Sequence, residues 1–327
     1  MAVLRQLAVV ASSIMLGISA QASDLAAKPE VAAFIDKMVK QHQFEKESLY
    51  RLFDQVVEKP RVLEILDRPG TAQPWYKYQP NFVNSTRIAR GVAYYKQNRA
   101  TLEAASAKYG VPAEIIVAIL GVETDYGRNA GSFRLVDVLS TIGFDYPRRA
   151  EYFQGELEAF LLLARAEGGD PLTYKGSYAG AMGLPQFMPS TFNKYAVDGD
   201  GDGHKDIWNN QTDAIYSIAN YLQSYGWQKG GDLTVQAMVS GESYPTLVAE
   251  RFNLNWTVAE MAKFGVKPMG EVNLQDKAIL FPLETSPGVV EHWLGLPNFF
   301  VITRYNKSTL YAMSVVRLAN AIAAGAA

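Results

Sequence analysis

The stretch from Ile115 to Val122 contains only apolar residues and glycine. Pro112 stands near the first turn of the helix that this run predicts, where its missing N–H costs nothing. A helix without a polar face is buried nearly all round, so the rest of the chain has to fold around it. With 327 residues the chain is long enough to build such a core without staples, and its length suggests about two domains. It contains no cysteine, which excludes disulfides, zinc–thiolate sites and a thiol nucleophile. Stability must come from packing and from any bound metal ion.

Helical periodicity recurs along the chain. Val31 to Arg61 reads as helical, with Phe34, Met38 and Val39 and then Leu49, Leu52, Phe53 and Val56 at helical spacing. A breaker cluster follows at residues 68–74, and Pro74 to Pro80 is too proline-bounded for a regular element although aromatic enough to line a cleft. Ile88 to Tyr109, Phe153 to Ala166 and Asp213 to Tyr225 are further helical patterns, the first ended by Gly110 and the last by Gly226. From Gly230 to about Pro282 the texture changes. β-Prone runs at Leu233–Val239 and Ala278–Leu283 surround a short helix that begins at Thr257 in a capping-box pattern with Glu260. Phe299 to Thr303 reads as a strand, and Ser308 to Ala324 as a closing helix.

Lys and Arg number 31 against 33 Asp and Glu, a net charge of −2, so nothing in the overall charge calls for nucleic acid as a partner. Aromatic residues make up 12%, with 18 tyrosines, whose flat faces and polar tips suit stacking on sugars, though most tyrosines in any chain pack in cores. Residues 1–22 read as a secretory signal. Arg5 is the positive region, Leu7 to Ile18 the apolar one, and Ala20-Gln21-Ala22 the cleavage site. The apolar run is too short for a confident transmembrane span, and an uncleaved N-terminal anchor is the second reading. With no cysteine to carry a lipid, the expectation is a protein of the periplasm that is not a lipoprotein and has no stable membrane anchor.

Two segments carry chemistry. In Gly121-Val122-Glu123-Thr124-Asp125-Tyr126-Gly127, Glu123 closes the apolar helix, with Ile119 and Leu120 on its face. Lost hydration disfavours its charged form, and the negative end of the helix dipole pushes the same way. A carboxyl that holds a proton near neutral pH can serve as a general acid, although taken alone the position also fits an exposed helix-end glutamate. Asp125, two residues on, does not share its face. The second segment, Gly176 to Thr191, has three glycines and two prolines among small residues, a composition that lets backbone approach a ligand closely. Ser177, Gln186 and exposed amides there could bind a sugar or its acetamido group. A tight structural turn explains the composition equally.

Gly121-Val122-Glu123-Thr124, residues 177–183 and residues 186–190, together with residues 303–313, resemble the B family of lytic murein transglycosylases, in family order and over a likeness running from about residue 30 to the end. The resemblance implies a mainly α, α+β fold: a lysozyme-like core with a helical domain and a small β-containing inserted domain. The divisions are a signal at 1–22, a helical domain at 23–105 with helix 308–325 packing nearby, and a catalytic core at 106–229. A small β-containing domain at 230–298 and a C-terminal strand and helix at 299–327 complete them. By motif matching Glu123 is the single catalytic acid/base, and Tyr78, Ser177, Met182, Gln186, Tyr221, Tyr305, Asn306 and Tyr311 are substrate-binding positions. Leu184-Pro185 departs from some members, which bears on subsite detail.

Asp198-Gly199-Asp200-Gly201-Asp202-Gly203-His204-Lys205-Asp206 fits the start of an EF-hand loop. Four aspartates so close repel without a cation, so the reading is a structural calcium ion held by Asp198, Asp200, Asp202, Asp206 and the His204 carbonyl, the alternative being a solvated acidic turn. Position 12 is Asn209, which cannot supply a bidentate carboxylate, and Asp213 could replace it in a longer loop of 198–213, as the family resemblance suggests.

A glycosidase of the usual kind needs two carboxylates, and here one stands out. The resemblance accounts for this. The substrate's N-acetyl oxygen and the C6 hydroxyl of N-acetylmuramic acid replace the second, and the β-1,4 bond to N-acetylglucosamine is cut with formation of a 1,6-anhydro end. Nothing but structural calcium is then required, and not in the chemical step. Glycan strands of peptidoglycan are the expected partner, with proteins of cell-wall synthesis or remodelling as candidates beside them. A hydrolytic muramidase and a non-catalytic peptidoglycan-binding protein are the competing readings.

Overall fold

The computed structural model describes residues 24–67 and 73–326. The expected export signal, and most of the breaker cluster at 68–74, lie outside the described residues. The chain divides into two compact units after Val57. In the first, α1 (Pro29–His42) and α2 (Lys46–Phe53) replace the first part of the long helix expected at 31–61. Gln43 adopts a left-handed conformation and ends α1, its N–H bonded to the Val39 carbonyl. Val31, Phe34, Ile35, Met38, Leu49 and Phe53 are buried there, with the Phe34 and Phe53 rings edge to face at 6.0 Å.

The second unit begins with α3 (Pro60–Leu66) and α4 (Trp75–Tyr78). The Pro74–Pro80 segment is therefore helical for one turn, contrary to the sequence reading. Pro74 lies before the first turn, where it breaks no hydrogen bond, and Trp75 is buried and anchors that turn. The pattern at 88–109 becomes two helices, α5 (Ser85–Gln97) and α6 (Arg99–Tyr109), joined at Asn98. Then comes α7 (Ala113–Thr124), in which every residue from Ile115 to Val122 is buried. Next are β1 (Phe133–Arg134), α8 (Leu135–Asp145), α9 (Ala150–Ala166), β2 (Lys175–Gly176), α10 (Pro189–Tyr195) and α11 (Gln211–Ser224). β1 and β2 form a two-stranded antiparallel pair.

The region after Gly230 holds a five-stranded antiparallel sheet. Its strands are β3 (Thr234–Val239), β4 (Trp256–Thr257), β5 (Val266–Pro268), β6 (Lys277–Ser286) and β7 (Val289–Gly295), in the spatial order β4-β6-β7-β3-β5. Two short helices, α12 (Tyr244–Ala249) and α13 (Val258–Met261), accompany it, and Thr257 with Glu260 forms the expected capping box. Leu247, Val258, Met261, Leu280 and Leu294 belong to a separate apolar core of this sheet.

Two helices close the chain, α14 (Pro297–Tyr305) and α15 (Thr309–Ala326). The strand expected at 299–303 is thus part of a helix. A short apolar run with β-branched residues does not distinguish strand from buried helix by periodicity, and Pro297 here starts a helical turn. α15 has the length and hydropathy of a membrane span, yet Tyr311, Met313, Val315, Leu318 and Ile322 are buried inside the protein. α5, α6, α11 and α15 all pack on α7 and so enclose the apolar helix. Glycine permits the closest approach. A Cβ on Gly121 of α7 would lie 2.6 Å from the Tyr126 hydroxyl, and one on Gly91 of α5 only 2.4 Å from it.

Candidate active site

Glu123 stands in the last turn of α7, half-buried. Burial pushes its carboxyl up to about 7, and a hydrogen bond from the Tyr311 hydroxyl opposes that rise. The bond is 2.6 Å long, Tyr311 Oη donating to Glu123 Oε1. The helix ends in strained backbone just beyond: Asp125 and Tyr126 have φ of 50° and 58°. Asp125 is buried and its Oδ2 accepts a hydrogen bond from Arg90. Arg87 Nε lies 4.0 Å from Asp125 Oδ1, and Arg87 Nη1 donates to the Gly121 carbonyl at 2.8 Å. Asp125 is thus the counter-ion of two arginines on α5, consistent with its exclusion as a partner for Glu123.

Aromatic residues from three other helices surround this carboxyl. Tyr311 comes from the first turn of α15, and its ring stacks with that of Tyr305 at 6.5 Å and 12°. Tyr305 closes α14, and its hydroxyl donates to the Pro185 carbonyl at 2.6 Å. Behind it, Tyr221 of α11 packs edge-on at 4.8 Å and donates to the Arg304 carbonyl at 2.7 Å. Tyr221 is itself buried, so it supports Tyr305 rather than presenting a surface. Burial is the first cause that raises the hydroxyls of Tyr305 and Tyr311 well above the usual tyrosine range, followed by the charge of Glu123. The same two causes raise Tyr78 on α4, which places it within the field of Glu123. Asn306 is exposed at the end of α14.

The segment from Gly176 to Met188 forms a second wall. Gln186 takes a left-handed φ of 53°, and its amide nitrogen donates to the Ala130 carbonyl at 3.1 Å and the Gly183 carbonyl at 2.8 Å. Among the described residues no donor is bonded to its side-chain oxygen. The Ser177 hydroxyl accepts from Ala181 N–H at 3.0 Å and Ala179 N–H at 3.3 Å, so it shapes the turn. Met182, expected at the cleft, is fully buried. Its place is corrected: its backbone pairs with Phe187 in both directions, and its side chain offers no surface to a ligand. Two residues that the sequence did not single out matter here. Phe187 packs on Tyr221 and Tyr305 at 5.6 and 5.8 Å, and Thr124 joins the end of α7 to the Leu184 carbonyl at 3.1 Å.

The acidic loop lies between α10 and α11. Asp198, Asp200 and Asp202 bring one carboxylate oxygen each within 4.8 Å of one another. Backbone N–H groups of Gly203 and Gly201 hold the Asp198 carboxyl below the usual range. The other expected ligands also make contacts within and beside the loop. Asp213 is fully buried and accepts from Gly199 N–H at 2.8 Å and Asp206 N–H at 2.7 Å, which fastens both ends of the loop. Asp206 accepts from the N–H groups of Trp208 and Asn209. The His204 ring faces Glu167, with Nδ1 3.5 Å from its carboxylate.

Residues 26–320 match the family described as Transglycosylase SLT domain. The chain is 42% identical over 310 residues to membrane-bound lytic murein transglycosylase B of Escherichia coli K12, a match covering 92% of this chain and 84% of that protein. Among solved structures it is similar to the lytic transglycosylase SltB1 from Pseudomonas aeruginosa, with a TM-score of 0.90 and 45% identity over 93% of this chain and 100% of that one. The lytic transglycosylase Slt35 of Escherichia coli, solved in complex with calcium, has a TM-score of 0.85 and 43% identity over 93% of this chain and 96% of that one.

Proposed function

This chain belongs to the transglycosylase SLT domain family and is a peptidoglycan lytic transglycosylase, and within that activity we propose that Glu123 is the only acid/base. The observation that carries this is a half-buried carboxyl, pushed up to about 7, under the hydroxyl of Tyr311. Glu123 first protonates the oxygen of the β-1,4 bond between N-acetylmuramic acid and N-acetylglucosamine. The N-acetyl oxygen of the substrate assists at the anomeric carbon. The resulting carboxylate, received by the Tyr311 hydroxyl, then takes the proton from the C6 hydroxyl of muramic acid as that oxygen closes on the anomeric carbon. The proton returns to Glu123, and the product ends in a 1,6-anhydro ring. Chemistry belongs to residues 106–229 in this reading, with Tyr78, Tyr305, Asn306 and Tyr311 contributed by the flanking parts. Gln186 and Ser177 border the glycan, and Tyr221 acts through Tyr305.

The working form of Glu123 before cleavage is the protonated one. With its carboxyl pushed up to about 7, the active fraction is nearly complete well below that pH and falls about tenfold per pH unit above it. The pH profile of kcat/KM is therefore expected to decline on its alkaline side through about 7. A profile flat to pH 9 would contradict a glutamic acid as proton donor.

The oxygen-only donor set of Asp198, Asp200 and Asp202, converging on one point, suits a hard cation such as calcium. The His204 carbonyl, Asp206 and Asp213 would add to it, Asp213 also holding the loop in shape through the Gly199 and Asp206 N–H groups. The ion would neutralise the crowded carboxylates and take no part in the reaction. Calcium at one hundred times its Kd should stabilise the fold by about 2.7 kcal/mol, since it binds only the folded loop. Thermal melting with calcium and with a chelator tests this, and equal melting temperatures together with no bound metal would remove the ion. Arg5, the apolar run Leu7–Ile18 and Ala20-Gln21-Ala22 support export to the periplasm, where the substrate lies.

A further inference from the structure

Thr124 follows the acid/base directly and is fully buried, so it touches neither solvent nor substrate. Its hydroxyl nevertheless meets three backbone groups. It lies 3.2 Å from the Leu120 carbonyl one turn back and 3.1 Å from the Leu184 carbonyl, and it accepts the Gly127 N–H at 3.0 Å. A threonine inside a helix commonly turns its hydroxyl to the carbonyl four residues earlier. Here that donor is shared with a carbonyl sixty positions away in sequence.

The segment it reaches is held from several sides. Leu184 N–H donates to the Ile207 carbonyl at 2.8 Å. Gly183 makes this approach possible: its φ is +63°, and a Cβ there would lie 2.5 Å from the Ile207 oxygen. Pro185 receives the Tyr305 hydroxyl, and Gly183 receives the Gln186 amide. Ile207 is fully buried and adjoins Asp206, whose N–H is fastened by Asp213. Hydrogen bonds therefore run from the acidic loop through Leu184 to the residue beside Glu123.

We propose that Thr124 is a positioning residue whose hydroxyl holds the end of α7 in register with the 183–187 segment, and through Ile207 with the acidic loop. Glu123 and Gln186 then keep a fixed separation across the cleft. Loss of the hydroxyl leaves both walls in place but lets them shift relative to each other, which harms the proton transfer more than ground-state binding. A misplacement of about 1 Å can cost on the order of 10²-fold in rate.

The proposal rests on Glu123 as acid/base and is tested separately from it. Thr124→Val removes the hydroxyl at nearly constant shape, and Thr124→Ser keeps it. The expected result for Thr124→Val is a kcat lower by roughly 10-fold to 10²-fold with KM little changed and calcium affinity, read by titration calorimetry, as in the wild type. Thr124→Ser should retain most of kcat. Should Thr124→Val fail to fold, Thr124→Cys replaces it, because its thiol has the size of the serine side chain and donates only weakly. Wild-type kcat in the Val or Cys variant overturns the tether, as does an equal loss in the Ser variant, which would indicate packing alone. An active Glu123→Gln protein would instead overturn the acid/base assignment. If the wild type binds no calcium, the link to the acidic loop fails while the kcat comparison still judges the hydroxyl.

Discussion

Glu123→Gln should abolish murein cleavage while leaving the fold and glycan binding nearly intact. The amide has the shape of the carboxyl but cannot give up a proton and then take one back. Removal of a general acid/base costs about 10²-fold to 10⁴-fold in rate at the least, and here one group carries both steps. The surroundings can accommodate the change: the Tyr311 hydroxyl that donates to Oε1 can donate equally to an amide oxygen. Stability should move in the opposite direction to activity. The folded protein holds the Glu123 proton up to about 7, against about 4.5 for a glutamate in water. A raised pKa gives a contribution that is fully present below about 4.5 and is lost as pH rises through about 7. A neutral glutamine escapes that loss, so the variant should melt higher than the wild type at pH 8 and by less at pH 5. Near-normal turnover by a folded Glu123→Gln protein would contradict the assignment.

Glu123 was singled out by the family resemblance, since its local segment alone fits an exposed helix-end glutamate, and the structure gives it a half-buried place at the end of α7. The apolar run of α7 that ends at this carboxyl was visible in the chain, and its burial does raise the group. The same is true of the acidic loop, where three aspartates at alternate positions do converge. Longer-range roles were not legible. Asp213 was expected as a ligand from a longer family loop, and the structure adds that its oxygens accept the Gly199 and Asp206 N–H groups, which no spacing rule reveals. Met182 belongs to a cleft motif but faces the interior, since a compact turn must bury some of its side chains. Phe299 to Thr303 shows the limit of apolar runs: strand and buried helix have the same composition, and the contacts of α14 with α15 and the sheet decide. The sequence reading named no element at residues 135–145; in α8 every residue from Leu135 to Gly143 is buried, so no exposed polar stripe marks its period. Thr124 could not have been found, because its partner is a backbone carbonyl in a distant segment.

The products should carry 1,6-anhydro ends rather than reducing ones. The attacking C6 hydroxyl is tethered to the ring whose anomeric carbon it meets, so no second molecule has to be captured and oriented, an advantage that can reach several kcal/mol. The site suits that route. Asp125, the nearest carboxylate in sequence, is matched by Arg90 and approached by Arg87 and so is not free to activate water. Tyr311 donates to Glu123 and its ring stacks with that of Tyr305, so aromatic side chains border the carboxyl, and in the proposed route they would help to shield the anomeric carbon from water. The Tyr311 hydroxyl favours the carboxylate just when it must accept the C6 proton. Water could use the same Glu123 carboxylate as its base, so the choice between the two products turns on the tethered hydroxyl reaching the anomeric carbon before water does. The direct test is mass analysis of the muropeptides released from purified murein, with and without borohydride reduction. The account predicts muramic ends lighter by one water and unchanged by borohydride. Muramic ends that are predominantly reducible would contradict it and make the enzyme a hydrolase.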